Sequence, residues 1–389
     1  MDRIILKGIT WGHSRGYTPL MAYAQRFMEK YPDVEVTWKK RTLQEFADFP
    51  LEKLAPDYDL LIIDHPWVGC AAATRSVVPL EKYLPPEYLA DQFKNSVGHS
   101  HESYQYEGSQ WALAIDAATP VASYRADLLS ANNIPVPKTW EAVLHLARQG
   151  KVAIPAIPID VLMNFYMFCI AHGKEPFGSP GEVIDEITGV EALKTMRSLY
   201  SLIDEKCFTL NPIAIAEMMS TGDEHWYCPF AYGYSNYQRN GYANHLLHYT
   251  GLVQFMGRNL RSTLGGTGIA VSSYSKQIEL AVRFAKDIVS PLCQQSFYVD
   301  HGGQPGHRQA WLSDHANKLT NQYFSSTLTT LDESYMRPRY NGYLYFQDEA
   351  GLPVQQYLQH GGDEKKVLES INSIYQHSRQ MSGHKQIHG

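Results

Sequence analysis

Several stretches of this 389-residue chain carry side chains whose types and spacing suit chemistry. Trp11-Gly12-His13-Ser14-Arg15-Gly16 lies between an apolar strand pattern and an amphipathic helix pattern, so Trp11, His13 and Ser14 stand at a helix N-terminus, where donors meet a polar ligand. A capping turn with Ser14 as the cap is the alternative. Asp64 and His65 follow an apolar strand pattern, where a carboxylate accepts ligand hydroxyls or caps the helix starting near Val68. Asp116 stands in a comparable place. The densest aromatic run, His225-Trp226-Tyr227-Cys228-Pro229-Phe230-Ala231-Tyr232-Gly233-Tyr234-Ser235-Asn236-Tyr237, offers the ring of Trp226 or Tyr232 as a flat apolar face for a pyranose. Ordinary strand packing, with Trp226, Cys228 and Phe230 on one face, competes with that reading. His301, His307, Arg337 and Arg339 are read as a basic rim that would pair an acidic ligand group, or as ordinary surface ion pairs.

No Walker A loop, no H-E-x-x-H and no dinucleotide-binding glycine fingerprint is present. Gly265-Gly266-Thr267-Gly268 is too short for a nucleotide loop and reads as a tight turn that needs small residues. The closest approach to metal-ligand spacing is His99-Ser100-His101, read as solvated loop. The cysteines Cys70, Cys169, Cys207, Cys228 and Cys293 form no C-x-x-C pair and read as buried thiols, which fit a reducing compartment better than an oxidising one. No catalytic residue, metal or cofactor is expected. Were the chain an enzyme, His13, Asp64, His65 and Asp116 would be its acid–base groups.

The elements that must hold these residues alternate. Ile4 to Trp11 reads as a strand and Gly16 to Tyr31 as a helix ended by Tyr31-Pro32. Val34 to Trp38 and Asp57 to Asp64 read as further strands, the latter a buried parallel one. This β-α-β-α-β order predicts a parallel sheet whose strand C-termini border a cleft. Helices are expected over Gly189–Ile203, Ile213–Met219 and Phe346–His360, with Thr139 capping another. The length allows two lobes. A net charge of −6 and a pI near 6.2 disfavour nucleic acid and anionic membrane as partners. No apolar run approaches a membrane span. The 26 tyrosines and 7 tryptophans are numerous for this composition; they suit sugar faces or fill a mixed core.

Taken in order, several of these stretches resemble family 1 extracellular solute-binding proteins, the sugar receptors of ABC importers. The glycine pair at 265–266 with its strand, and the helix from Glu279 to Ser290-Pro291 with Phe284 at its centre, resemble the family's return between lobes. So do Tyr106 to Asp116 with Pro120 to Arg125, Pro137-Lys138-Thr139-Trp140, and Arg337-Pro338-Arg339-Tyr340-Asn341-Gly342-Tyr343. The resemblance implies a two-lobed α/β fold of the type II periplasmic-binding-protein kind, with an interlobe cleft and a multi-strand hinge. It implies one lobe from 1–115 plus about 262–310 and another from about 116–261 plus 311–389. Together with the residue readings above, ligand contacts are expected at Trp11, His13, Ser14, Asp64, His65, Asp116, Trp226, Tyr232, Gly265, Gly266, His301 and Arg337. It implies reversible capture of a carbohydrate by hinge closure, a monomer, and an ABC permease as partner. The compartment is periplasmic or extracellular if a signal peptide precedes the chain, and cytoplasmic if Met1 is the natural start. An intracellular sensor or enzyme on the same fold is the rival reading.

Overall fold

The computed structural model describes residues 3–48 and 50–384, so Met1 lies outside the described residues. In chain order the elements used below are β1 (Ile4–Trp11), α1 (Ser14–Lys30), β2 (Val34–Arg41), β3 (Leu60–Ile63), α2 (Val68–Thr74), β4 (Leu113–Ala118), β5 (Pro120–Tyr124), α3 (Trp140–Arg148), α4 (Pro158–Ala171), α5 (Glu186–Tyr200), β6 (Tyr227–Tyr232), β7 (His248–Thr250), β8 (Gly265–Val271), α6 (Ile278–Ile288), α7 (Tyr343–His360) and α8 (Glu364–His384).

The chain divides into two compact units. The first comprises 1–118, 264–328 and 339–341; the second comprises 119–263, 329–338 and 342–389. The chain therefore crosses between units after Ala118, Thr263, Leu328, Pro338 and Asn341. The sequence-based assignment of all of 311–389 to the second unit is corrected for two pieces, 311–328 and 339–341. The first is held by Trp311, whose indole donates to Pro305 O at 2.7 Å and whose ring meets Phe324 edge-on at 4.9 Å. A large buried aromatic with a satisfied N–H is a strong anchor, and here it fastens the segment to the unit that contains Pro305.

The first unit is built on a five-stranded sheet in the order β2-β1-β3-β8-β4. β1 runs parallel to β2 and β3, whereas β8 runs antiparallel to both β3 and β4. β3 is the fully buried strand that its unbroken apolar run predicts. Helices α1 and α6 cover the sheet through apolar faces at helical spacing. Phe27 and Tyr23 of α1 meet Phe284 of α6 edge-on at 5.1 and 5.4 Å.

The second unit has an antiparallel three-stranded sheet in the order β6-β5-β7. α4 is apolar nearly all round and buried from Asp160 to Cys169, as a central core helix must be. α7 approaches its start so closely that a Cβ on Gly351 would lie 2.3 Å from Pro158 O. α8 approaches α5 in the same manner, with Leu368 on Gly189. Thr139 caps α3 as expected, accepting from Ala142 N at 3.3 Å. Arg125 is buried and donates to Asp127, Asp223 and the carbonyls of Met219 and Gly222, tying the segment after β5 to the segment 219–223. No helix among the described residues is long and apolar enough to cross a membrane.

Candidate ligand-binding site

Strand direction collects most of the expected contacts of the first unit on one sheet edge. β1, β3 and β4 point the same way, and β8 runs against them. The C-terminal ends of β1, β3 and β4 and the N-terminal end of β8 therefore share an edge. That edge carries Trp11 to Arg15, Asp64 and His65, Asp116, and Gly265 and Gly266. It is where ligands bind in open α/β sheets.

At the end of β1 the cap of α1 is His13, not Ser14. His13 Nδ1 accepts from Arg15 N at 3.0 Å, and Ser14 is the first helical residue. Burial, and then the neighbouring Arg15 charge, hold the His13 pKa down at about 3. The imidazole is thus neutral, with its proton on Nε2, and it offers a donor rather than a base poised near neutral pH. Gly12 to Gly16 also has the G-x-S-x-G spacing of a hydrolase nucleophile elbow, between a strand and a helix. An elbow serine needs a strained turn. Here His13 is extended (φ −104°, ψ 150°), and Ser14 is not among the residues with positive φ, so the turn is an ordinary cap.

Two expected contacts on this edge are inward-facing. Trp11 belongs to the core, where its ring lies against Phe46 at 5.5 Å and against Gly16, whose missing Cβ would be 2.4 Å away. It shapes the loop from beneath. Asp116 is 1% exposed, and its carboxylate receives Arg15 Nε at 2.8 Å and a second guanidinium nitrogen. Burial pushes the Asp116 carboxyl above its ordinary value and Arg15 pulls it back. The pair consumes the acceptor expected for a ligand and fastens the α1 loop to β4.

Asp64 caps the turn at His65–Trp67, one turn earlier than the expected cap near Val68. Its Oδ1 accepts from His65 N at 2.8 Å and lies 3.2 Å from His65 Nδ1. The Asp64 side chain remains partly exposed, whereas His65 is buried. Asp64 is thus the carboxylate of this edge with access to solvent. Gly266 adopts φ +97°, and a Cβ there would stand 2.4 Å from Asp116 O, so both the turn and the strand approach demand glycine.

Segment 339–341, beside this edge, carries no periodic signal in the sequence. Segment 339–341 lies on α2 so tightly that a Cβ on Gly69 would be 1.9 Å from Arg339 O. Arg339 donates to the carbonyls of Glu102, Ser103 and Gln105, and Tyr340 beside it is half-buried. Gly69→Ala is expected to dislodge this segment. The check is accelerated hydrogen exchange at 339–341, with the amides of β1 unchanged.

The residues read as a basic rim are divided between the two units. His301 donates through Nδ1 to Phe297 O at 2.7 Å, within its own turn, and lies on the Phe297 ring. His307 caps the helix Arg308–Trp311. Arg337 is buried in the second unit and donates to Gln347 at 2.8 Å, whereas Arg339 belongs to the first. Each of these groups has a partner within its own unit.

In the second unit the two aromatic candidates are far apart. Trp226 and Tyr232 are six residues apart along a strand, which is ~20 Å at ~3.3 Å per residue. Trp226 is 9% exposed; its indole donates to Asp223 O at 2.7 Å, and Lys151 Nζ sits 4.4 Å from its ring centroid. Its face is covered by a cation. Tyr232 stands at the opposite end, half-buried, beside the points where the chain enters and leaves the unit. Its hydroxyl is 3.0 Å from Thr263 Oγ1, and Gly233 N donates to Thr119 O at 3.3 Å.

The sheet edge of the first unit offers a partly exposed carboxylate, a neutral imidazole and a helix N-terminus. It suits hydrogen bonding to a polar ligand. Among the described residues no group of three His, Cys, Asp or Glu side chains could hold a metal ion.

Solved structures with the same fold span almost the whole chain. Maltose-bound MalE3 of T. maritima matches with a TM-score of 0.82 at 17% identity, over 97% of this chain and 100% of that one. A solute-binding protein of an ABC transporter from Agrobacterium radiobacter K84, in complex with ribitol, matches at 0.76 and 20% identity, over 98% and 99%. Another, from Thermotoga lettingae TMO bound with α-D-tagatose, matches at 0.80 and 17% identity, over 95% and 99%. The two-unit α/β fold is therefore that of periplasmic binding proteins. The family model for bacterial extracellular solute-binding proteins matches residues 22–320, more than three quarters of the sequence, and the chain belongs to that family.

Proposed function

We propose that this protein captures a carbohydrate or a related polyol outside the cytoplasm, as a monomer, and delivers it to the permease of an ABC importer. The observation that carries the reading is the single sheet edge that gathers Asp64, His13, the α1 N-terminus and Gly265–Gly266. Sugar hydroxyls are both donors and acceptors, and this edge supplies both. Tyr232, at the edge of the second unit where the chain crosses, is the ring proposed to lie on a sugar face. Tyr340 is the proposed second aromatic. Structures that share the fold hold maltose, ribitol or tagatose, which supports the ligand class. The buried Trp11, Asp116, Trp226 and Arg337 are proposed as supports of the units rather than contacts.

Native mass spectrometry of freshly purified protein, followed by calorimetry with maltose, maltotriose, tagatose and ribitol, tests the reading. A bound hexose-based or polyol mass supports it, and a bound amino acid, peptide or metal ion overturns it. Tyr232→Ala is expected to weaken sugar binding roughly 5- to 150-fold, the equivalent of about 1–3 kcal/mol for a stacked ring. Trp226→Ala is expected to lower stability and leave the affinity of the folded fraction unchanged. The reverse pattern would return Trp226 to the site. The sugar's mass is expected to stay unchanged on prolonged incubation, and product in proportion to protein would favour an enzyme.

A further inference from the structure

We infer that Thr263 is the positioning residue for the Tyr232 ring: it pins the tyrosine hydroxyl to the point where the chain leaves the second unit. The inference rests on the proposed role of Tyr232 in ligand contact. Thr263 is fully buried and closes the long segment 119–263, which Thr119 opens. The two ends are bonded to each other, because Thr119 Oγ1 donates to Thr263 O at 3.0 Å. A third passage of the chain is bonded to the same place, with Tyr335 N donating to Ser262 O at 2.7 Å. Thr263 is thus held through its own carbonyl by the Thr119 hydroxyl and through the preceding Ser262 carbonyl by Tyr335 N, and its hydroxyl is a fixed point.

A tyrosine ring on a strand has two side-chain torsions to fix. The base of Tyr232 is set by pairing with Pro120 across β5 and β6. Its far end is set by the 3.0 Å hydrogen bond with Thr263 Oγ1. With both ends held, the plane of the ring is determined before any ligand arrives, and binding need not restrict the rotamer. A threonine is suited to this because its methyl packs in the buried interior while its hydroxyl reaches the ring edge. Valine keeps the shape and loses the hydrogen bond; serine keeps the hydrogen bond.

Two measurements on the full chain test this. The first uses no sugar. In protein labelled with 3-fluorotyrosine, the Tyr232 resonance is assigned by its loss in Tyr232→Phe. It is expected to move in Thr263→Val and to hold its place in Thr263→Ser. An unmoved resonance in Thr263→Val would overturn the inference. The second is calorimetry with whichever of maltose, maltotriose, tagatose or ribitol binds. Thr263→Val and Tyr232→Phe are each expected to weaken binding about 2- to 12-fold, as for one lost hydrogen bond. The double variant is expected to be no weaker than either, because both remove the same bond. Thr263→Ser is expected to bind like the parent. Additive losses, or a loss confined to Tyr232→Phe, would mean that the hydroxyl serves the ligand directly and that Thr263 positions nothing. A lower melting temperature in Thr263→Val with unchanged affinity would reduce Thr263 to a structural residue. Should Tyr232→Ala bind every sugar like the parent while the fluorine result holds, the ligand reading alone falls.

Discussion

Asp116→Ala is expected to destabilise the first unit by about 3–5 kcal/mol, the cost of breaking a buried ion pair on one side. Arg15 is buried and donates two guanidinium nitrogens to this carboxylate. Removing the carboxylate leaves a guanidinium in a place where water does not reach. Replacing both partners by apolar residues of similar volume, as in Arg15→Met with Asp116→Leu, is expected to cost far less, because no charge is then left uncompensated. Hydrogen exchange of β1 and β4 amides against denaturant reads the first unit separately from the second. Equal losses for the single and double variants would show that packing, not charge, holds the pair. The single variant also bears on the site. Arg15 N is the donor to His13, so a displaced Arg15 carries the loop with it.

The second large effect concerns Asp160, in the first turn of α4. It is 6% exposed, and its Oδ2 has no hydrogen-bond partner among the described residues. Burial pushes its carboxyl up to about 8. The neighbouring ionisable groups, Tyr200 on α5 and Cys228 on β6, are themselves held neutral by burial. In the unfolded chain the carboxyl titrates near 4. Its contribution to stability is therefore complete below about pH 4 and is lost as the pH rises to about 8, because the folded state must keep a proton that the unfolded chain gives up. Asp160→Asn removes that requirement. It is expected to stabilise the second unit by roughly 4 kcal/mol at pH 7 and by nearly nothing at pH 4. Urea midpoints at the two pH values check it. A parent protein whose second unit shows no loss of stability over this range would mean that the helix start sustains the carboxylate, as N-terminal backbone dipoles favour.

Local pattern carried the sequence reading well where neighbours in the chain decide the outcome. The order of β1, α1, β2 and β3 follows from alternating periods and the Tyr31-Pro32 stop, and the Thr139 cap from one side chain. The need for glycine at 266 was legible because a positive φ and a close backbone approach leave no room for a side chain there. Reading failed where the answer lies in distant partners. Arg15 and Asp116 are 101 residues apart, and nothing local reveals that one consumes the other. Trp226 immediately precedes β6 and Tyr232 ends it, but pattern alone does not say which end of the strand faces the crossing points. Residues 339–341 return to the first unit for a passage too short to carry a period, so no pattern marks Tyr340.

The order of strands in the first unit has a consequence for the protein's birth. β8 lies between β3 and β4 in the sheet yet ends at Val271, 153 residues after β4 ends at Ala118. A ribosome moving at roughly 5–20 residues per second needs about 8–30 seconds to add them. Throughout that interval β3 has an open edge and β4 has no strand beside it. The sheet of the second unit, β5 to β7, is complete by Thr250 and has all its strands first. The nascent first unit thus spends its early life as a sheet with one interior strand missing, a state that relies on whatever shields strand edges until β8 arrives.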